Sequence, residues 1–412
     1  MATSFNRIVT GLKQAQPESW PTLLAAFSAS YGVGALGFVA FPFALGATID
    51  GMGISTTQAG LMGTAEFASI MLASFAISPF ISRVPRRWVA LAGVIVAIAL
   101  NIVCATLHPL DYNTALILRA LIGAGSGITM AAGNATVANA NDPERLSAQM
   151  STGYVLMMMV SCLIFPWASY HWGYSGVYLA LAAMMLFLCP FLMRLPQHPP
   201  KEIEKKTHDD GDGKNVNVIA AGAILLAMLI FATRDMSGWT FVERIGMASG
   251  YTMDQVGSLL SFQAILGVAG PMFASFLGAR KGLTLPIVLG VLAAGAPYYL
   301  MLVAVGSKLA FTIAALFLAG TYFFAQAYLI ALAAELDRKG RIVAAAGGFV
   351  SGGSAIGPAL GGYLIDNYGY SGTSWASLSM VIATVALARV ALAGRNHAET
   401  SGATWLRASS AS

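Results

Sequence analysis

Residues 58–93 read QAGLMGTAEFASIMLASFAISPFISRVPRRWVALAG, and this stretch decides the fold. It opens on Gln58 and Gly60, crosses an apolar run holding one carboxylate, Glu66, and ends in a basic turn, Arg83, Arg86 and Arg87. Moved forward by 197 positions, the outline returns. Gln255 and Gly257 match Gln58 and Gly60, Ser275 matches Ser78, Arg280 matches Arg83, Gly290 matches Gly93, and Gln263 stands where Glu66 stood. Five identities in thirty-six positions are a faint signal, but the order of polar cap, apolar span and basic turn also repeats, so the chain reads as a duplicated unit.

The 412 residues around this stretch are 57% hydrophobic and 10% charged. A water-soluble domain carries about 25% charged residues, so this chain lacks the charge to cover a surface in water. With a mean hydropathy of +0.70 and apolar runs of about 20 residues, it reads as a polytopic helical membrane protein. A membrane β-barrel would show alternating segments of about 10 residues, and these are absent.

Apolar segments fall at residues 23–48, 57–81, 88–107, 112–138, 146–169 and 174–194, then at 216–237, 254–278, 284–305, 309–334, 342–366 and 373–394. The expected fold is all-α: twelve transmembrane helices in two pseudo-symmetric six-helix bundles. Residues 1–196 form the first bundle, 197–215 a charged, flexible cytoplasmic linker, 216–396 the second bundle and 397–412 a disordered cytoplasmic tail. The first twenty residues, with Arg7, Lys13 and Glu18, lack the apolar core of a signal peptide.

Net charge is +5, but the basic residues lie between spans rather than on one face, so they report topology and not nucleic-acid binding. With both termini in the cytoplasm, nineteen of the 23 Lys and Arg fall in cytoplasmic segments and two, Arg244 and Lys308, in outer loops. That asymmetry orients the chain in a cytoplasmic, or inner, membrane. Trp167, Trp172, Trp239 and Trp375 then sit at the outer interface, and Trp20 and Trp88 at the inner one. Cys104, Cys162 and Cys189 lie inside spans with no metal-ligand spacing and read as packing residues. The linker's acids and His208 lie in a solvated tether rather than a metal cluster, no phosphate-cradling loop is present, and no cofactor or metal is expected.

Four charges stand clearly inside spans: Glu66, Arg119, Arg234 and Asp235. Each costs roughly 2.5–3.5 kcal/mol at mid-membrane on insertion scales, which makes a functional role the default reading. Glu66 lies about ten residues into the second helix, near the membrane centre, and reads as a proton-coupling or substrate-binding acid. The plainer role is a carboxylate that holds helices together. Arg119 pairs with Glu66 across the bundle or binds an anionic substrate, and a purely structural ion pair is the plainer alternative. Arg234 and Asp235 point about 100° apart on a helix, so one faces the central cavity and the other its own bundle, or both are a solvated pair near the outer end. Tyr31, Asn134, Gln263, Tyr322, Gln326 and Tyr328 are candidate cavity residues, each with packing as its plainer role.

Twelve spans in two sets of six, with a basic turn after the second and the eighth, resemble the major facilitator superfamily over nearly the whole chain. The family's signature after the second helix, G-x-x-x-D-R-x-G-R-R, is matched here by Ser78-Pro-Phe-Ile-Ser82-Arg83-Val-Pro85-Arg86-Arg87, with Ser82 in place of the latch aspartate. Arg119 to Gly125, RALIGAG, is similar to the family's R-x-x-x-G-x-G pattern, whose arginine is associated with proton coupling. Gly353 to Gly362, GSAIGPALGG, resembles the exporter pattern, but on the eleventh helix rather than the fifth. The resemblance implies alternating access, with Arg83, Arg86, Arg87, Arg280, Gly357 and Pro358 in conformational gating. It implies a monomer that binds protons and a small molecule, in the lipid bilayer. The expectation is proton-coupled symport of a small organic anion, drawn from the two intramembrane arginines. The alternative is proton-driven export of drugs or metabolites. A non-transporting receptor is the reading from another class, and no loop long enough to signal supports it.

Overall fold

The computed structural model describes residues 19–107, 110–196, 217–278, 282–337 and 340–409. The expected linker and Arg280 lie outside the described residues. Among the described residues every regular element is helical.

Among the described residues ten apolar stretches are long enough to cross a membrane, and two of them fold back on themselves. The helical stretch Pro143–Leu192 turns at Gly173 (φ 56°, ψ −140°), and Arg341–Ser409 turns at Gly369 (φ 65°, ψ −174°). Only glycine adopts such angles without strain. Dividing both at these turns gives twelve crossings. They are α1 (Trp20–Met52), α2 (Thr56–Phe80), α3 (Arg86–Thr106), α4 (Tyr112–Ala138), α5 (residues 143–172) and α6 (174–192). The second half holds α7 (Val218–Ala248), α8 (Met253–Leu277), α9 (Thr284–Val303), α10 (Lys308–Leu336), α11 (residues 341–368) and α12 (370–409).

Helix starts follow from local chemistry. Ser55 and Gln58 form a capping box at α2, and Thr252 and Gln255 form its counterpart at α8. The glutamines matched by the sequence repeat are therefore the third residues of equivalent helices. Asp111 caps α4 by accepting from Thr114 N at 3.0 Å, and Asp142 caps α5 by accepting from Arg145 N at 3.0 Å.

Large apolar side chains cover the outside of the bundles, with Leu72 62% exposed, Phe187 71% and Phe276 81%. A surface of that kind matches lipid rather than water. Trp20, Trp88, Trp167, Trp172 and Trp375 are likewise exposed, as interfacial residues are.

The hydrophobic core positions the site. One continuous cluster joins Leu36, Phe41 and Phe165 of the first half to Trp239, Val256 and Phe311 of the second. A separate cluster fills the second half near Phe231, Ile287 and Leu329. The halves are thus fused at the end bearing Asp50 and Asp366 and have distinct cores toward the end bearing Asn217 and Leu336.

Two expectations are corrected. The seventh helix does not stop near residue 237 but runs to Ala248, so Arg244 belongs to a helix and not to an outer loop. Trp239 is 9% exposed and buried between the halves, not at the lipid interface. The backbone of α12 remains helical over residues 397–409. Ala398, Glu399, Ala403, Leu406 and Arg407 are good helix formers and extend a helix already nucleated.

Candidate functional site

Glu66 and Arg119 meet in the interior of the first bundle as an ion pair, with side chains 3% and 2% exposed. Glycines make the meeting possible. Gly123 on α4 lies against the backbone of Glu66 on α2, and Gly37 on α1 leaves the space its carboxylate occupies. A side chain at either glycine would hold the helices apart. The Arg119 guanidinium also lies over the Phe41 ring at 5.7 Å and the Tyr178 ring at 5.4 Å. Tyr178 is held in turn by a hydrogen bond to Thr48 Oγ1 at 3.0 Å. A cavity of ≈ 10 Å³ touches Arg119, Thr48 and Tyr178, room for about one water. Chemically, this is a carboxyl group paired with a guanidinium and screened from bulk solvent.

Arg234 and Asp235 diverge. Arg234 is 1% exposed and faces into its own bundle, where Nη1 donates to Ala294 O on α9 at 2.8 Å. Its guanidinium lies over the Phe231 ring at 5.3 Å, and Phe231 stacks on Tyr322 with centroids 5.0 Å apart. Asp235 keeps a loose contact of 3.7 Å with Arg234 and leaves 20% of its side chain exposed. Tyr322 lies within Coulombic range of both Asp235 and Tyr154 of the other half. Tyr154 packs on Tyr31 at 5.1 Å. Tyr31 sits in a π-helical turn of α1, Ser28–Val33, a backbone form enriched at functional sites. Tyr31, Tyr154, Asp235 and Tyr322 are thereby brought to the seam between the halves. Tyr154 was missed in the sequence because nothing separates it from a packing tyrosine without its partner.

The other candidates scatter. Asn134 is exposed on α4, and Gln326 is half-buried on α10, one turn beyond Tyr322 and on the same face. Gln263 is 1% exposed, as buried as Glu66, its repeat counterpart. Tyr328 donates to Gly278 O at 3.0 Å and ties α10 to the end of α8.

Among the gating candidates, Arg83 is exposed, while Arg86 and Arg87 staple the first half to itself. Arg86 Nη1 donates to Ala135 O and Arg87 Nη2 to Leu195 O, both at 3.4 Å. Gly357 packs against Thr233 and Ser237 of α7, within its own half, whereas the carbonyl of Pro358 meets Gly60 of the other half.

The seam itself is held by residues to which the sequence analysis gave no site role. Thr57 N donates to Asp366 Oδ2 at 2.7 Å, and Thr56 Oγ1 donates to the other oxygen of Asp366, so α11 supplies an anion to the positive end of α2. Trp239 Nε1 donates to Phe38 O at 2.7 Å, and Ser261 Oγ to Met159 O at 2.9 Å. Arg244 pairs with Asp50 at 2.8 Å and donates to Gly46 O. Longer helix boundaries would have found Asp50, Glu243 and Arg244, because charges at residues 50 and 243–244 then fall within spans.

A family model for the Major Facilitator Superfamily matches residues 22–336. The chain is similar in structure to the nucleoside transporter NupG, at 13% identity and TM-score 0.70, over 90% of this chain and 98% of that one. It is also similar to a bacterial homologue of the human lysosomal transporter Spinster in an inward-facing, unoccupied conformation. There the identity is 14% and the TM-score 0.70, over 92% of this chain and 98% of that one. At such identities the likeness is one of fold. No curated protein matches the chain by sequence.

Proposed function

The chain belongs to the Major Facilitator Superfamily, and from that premise we propose that it carries a small organic solute across the cytoplasmic membrane by proton-coupled alternating access. The observation that carries the proposal is the asymmetry of the seam. A single core and the Asp366–Thr57 and Trp239–Phe38 contacts join the halves at one end, while their cores are separate toward the other. The Lys and Arg distribution supports a cytoplasmic position for the separate end and both termini, so this state reads as inward-facing.

Coupling is assigned to Glu66 and Arg119, the buried pair that exchanges a proton when the helices around it shift. The solute is assigned to the seam between Tyr31 and Tyr154 on one side and Asp235 and Tyr322 on the other. One chain holds both sides of this seam, so a monomer suffices. An organic anion was expected because two arginines lie in the spans. Arg119 is engaged by Glu66 and Arg234 by a backbone carbonyl, which leaves the Asp235 carboxylate at the seam. An uncharged or amine-bearing aromatic solute fits that chemistry better than a carboxylate does.

Export of such a compound is the second reading, favoured by one feature. An apolar groove of ≈ 1130 Å³ runs between α1, α5 and α6, past Trp20, Leu24, Leu156 and Phe187, and offers a path from lipid. Proteoliposomes loaded at one pH and diluted into another test both directions. Uptake of aromatic amines or neutral aromatics driven by an acid exterior supports the symport reading. Accumulation of a carboxylate alone overturns the solute assignment, and flux independent of the pH gradient overturns the coupling.

A further inference from the structure

Glu243 is a buried acid in the seam that neither the coupling pair nor the solute site uses. It lies on α7 with its side chain 0% exposed, its carboxylate pressed against Gly46 of α1 in the other half. Among the described residues nothing donates a hydrogen bond to either of its oxygens. The facing groups are few. Arg244 on α7 approaches with Nε at 3.5 Å, Asp50 on α1 holds the same guanidinium at 2.8 Å, and Tyr370 at the start of α12 lies within Coulombic range. Arg244 also donates to Gly46 O.

Two carboxyls thus compete for one guanidinium, and they differ in solvent. The Asp50 side chain is 58% exposed to solvent, whereas the Glu243 carboxyl is fully buried with no hydrogen-bond donor among the described residues. An ionised carboxylate in that position carries the full desolvation cost with only a distant share of Arg244 to offset it. Adding one proton removes that cost and leaves Asp50 and Arg244 as a balanced pair. Gly46 matters because a larger residue there would leave no room for the carboxyl.

We propose that Glu243 is a second proton-binding site, distinct from Glu66, which must be occupied for the halves to close at the Asp50–Asp366 end and which loses its proton to outside water when they part. Glu66 lies inside one bundle and exchanges its proton as helices shift within that half. Glu243 lies between the halves, and its proton follows the opening of the seam. Acid outside therefore draws the carrier to the inward-facing state, ahead of any solute, and alkali releases it.

The inference rests on the alternating-access reading, so its test separates the two. In a background with Cys104, Cys162 and Cys189 replaced, spin labels at Leu107→Cys and Val303→Cys report the distance between the outer ends of α3 and α9. Pulsed EPR in nanodiscs without solute, from acid to alkaline pH, is expected to show a short, sealed population that grows as pH falls. Glu243→Gln is expected to stay sealed at every pH, while Glu66→Gln keeps the pH response. Asp50→Asn, which leaves Arg244 to Glu243 alone, is expected to move the midpoint to lower pH, and it decides the matter if Glu243→Gln does not fold. Two populations in a ratio that ignores pH, a pH response intact in Glu243→Gln, or a midpoint unmoved in Asp50→Asn overturns the second site. A single distance at all pH values overturns it together with the alternating-access reading.

Discussion

Gly60 on α2 lies directly against the backbone carbonyl of Pro358 on α11, so the halves touch there main chain to main chain. Gly257 on α8 repeats the arrangement against the carbonyl of Cys162 and the ring of Pro166 on α5. A Cβ at either position would strike backbone, which cannot swing aside. Gly60→Val and Gly257→Val should each wedge the seam open while leaving every bundle folded. In a cysteine-free background, Thr64→Cys should react with an impermeant maleimide from outside at least ~10-fold faster when Gly60→Val is present, the size of shift a loss of about 1.4 kcal/mol gives. An unchanged rate would mean that the contact does not hold the seam.

Asp366 provides a charge-dependent part of the same closure. Its carboxylate accepts from Thr57 N in the first turn of α2, where the helix dipole favours an anion by about 0.3–1 kcal/mol. Asp366→Asn should lower the sealed-to-open ratio by roughly two- to fivefold at low ionic strength, read as an EPR distance between outer ends. Salt should diminish the difference between variant and wild type.

The Glu66–Arg119 pair predicts a stability pattern as well as a transport one. Arg119→Ala strands the buried Glu66 carboxylate beside Gly37 and should cost about 3–5 kcal/mol against unfolding in detergent. Adding Glu66→Gln to Arg119→Ala should recover most of that loss, because the stranded charge is gone. A double variant no more stable than Arg119→Ala alone would show that the arginine acts through packing on Phe41 and Tyr178 instead.

Asp235 and Arg234, neighbours in sequence, should behave as opposites. Asp235→Asn leaves the guanidinium bond to Ala294 O in place, so it should raise KM for the transported solute by about tenfold or more with little change in thermal stability. Arg234→Ala removes a buried donor and its stacking on Phe231 and should destabilise the second bundle first. Thermal unfolding and initial-rate uptake, measured side by side, separate the two.

The fold was legible because lipid imposes long apolar runs, and because the same capping glutamine and interface glycine recur 197 residues apart as Gln58 with Gln255 and Gly60 with Gly257. Glu66 and Arg119 were legible for a related reason, since a charge in an apolar run stands out whatever surrounds it. The seal at the Asp50–Asp366 end was not. Asp50, Glu243, Arg244 and Asp366 sit where a helix ends and a loop begins, and there charge is ordinary. Only the packing of α1 on α7 and of α2 on α11 shows that these ends contact the other half. Which way Arg234 faces was likewise undetermined, because two adjacent positions on a helix differ by rotation alone.

The most direct test takes proteoliposomes enclosing a pH-sensitive dye, an acid exterior, and a panel of aromatic amines, neutral aromatics and carboxylates. For the wild-type protein, at least one solute should enter against its gradient with acidification of the interior, while Glu66→Gln should exchange that solute across the bilayer without moving protons. Solute-dependent acidification by Glu66→Gln at the wild-type rate would contradict the assignment of coupling to the Glu66–Arg119 pair.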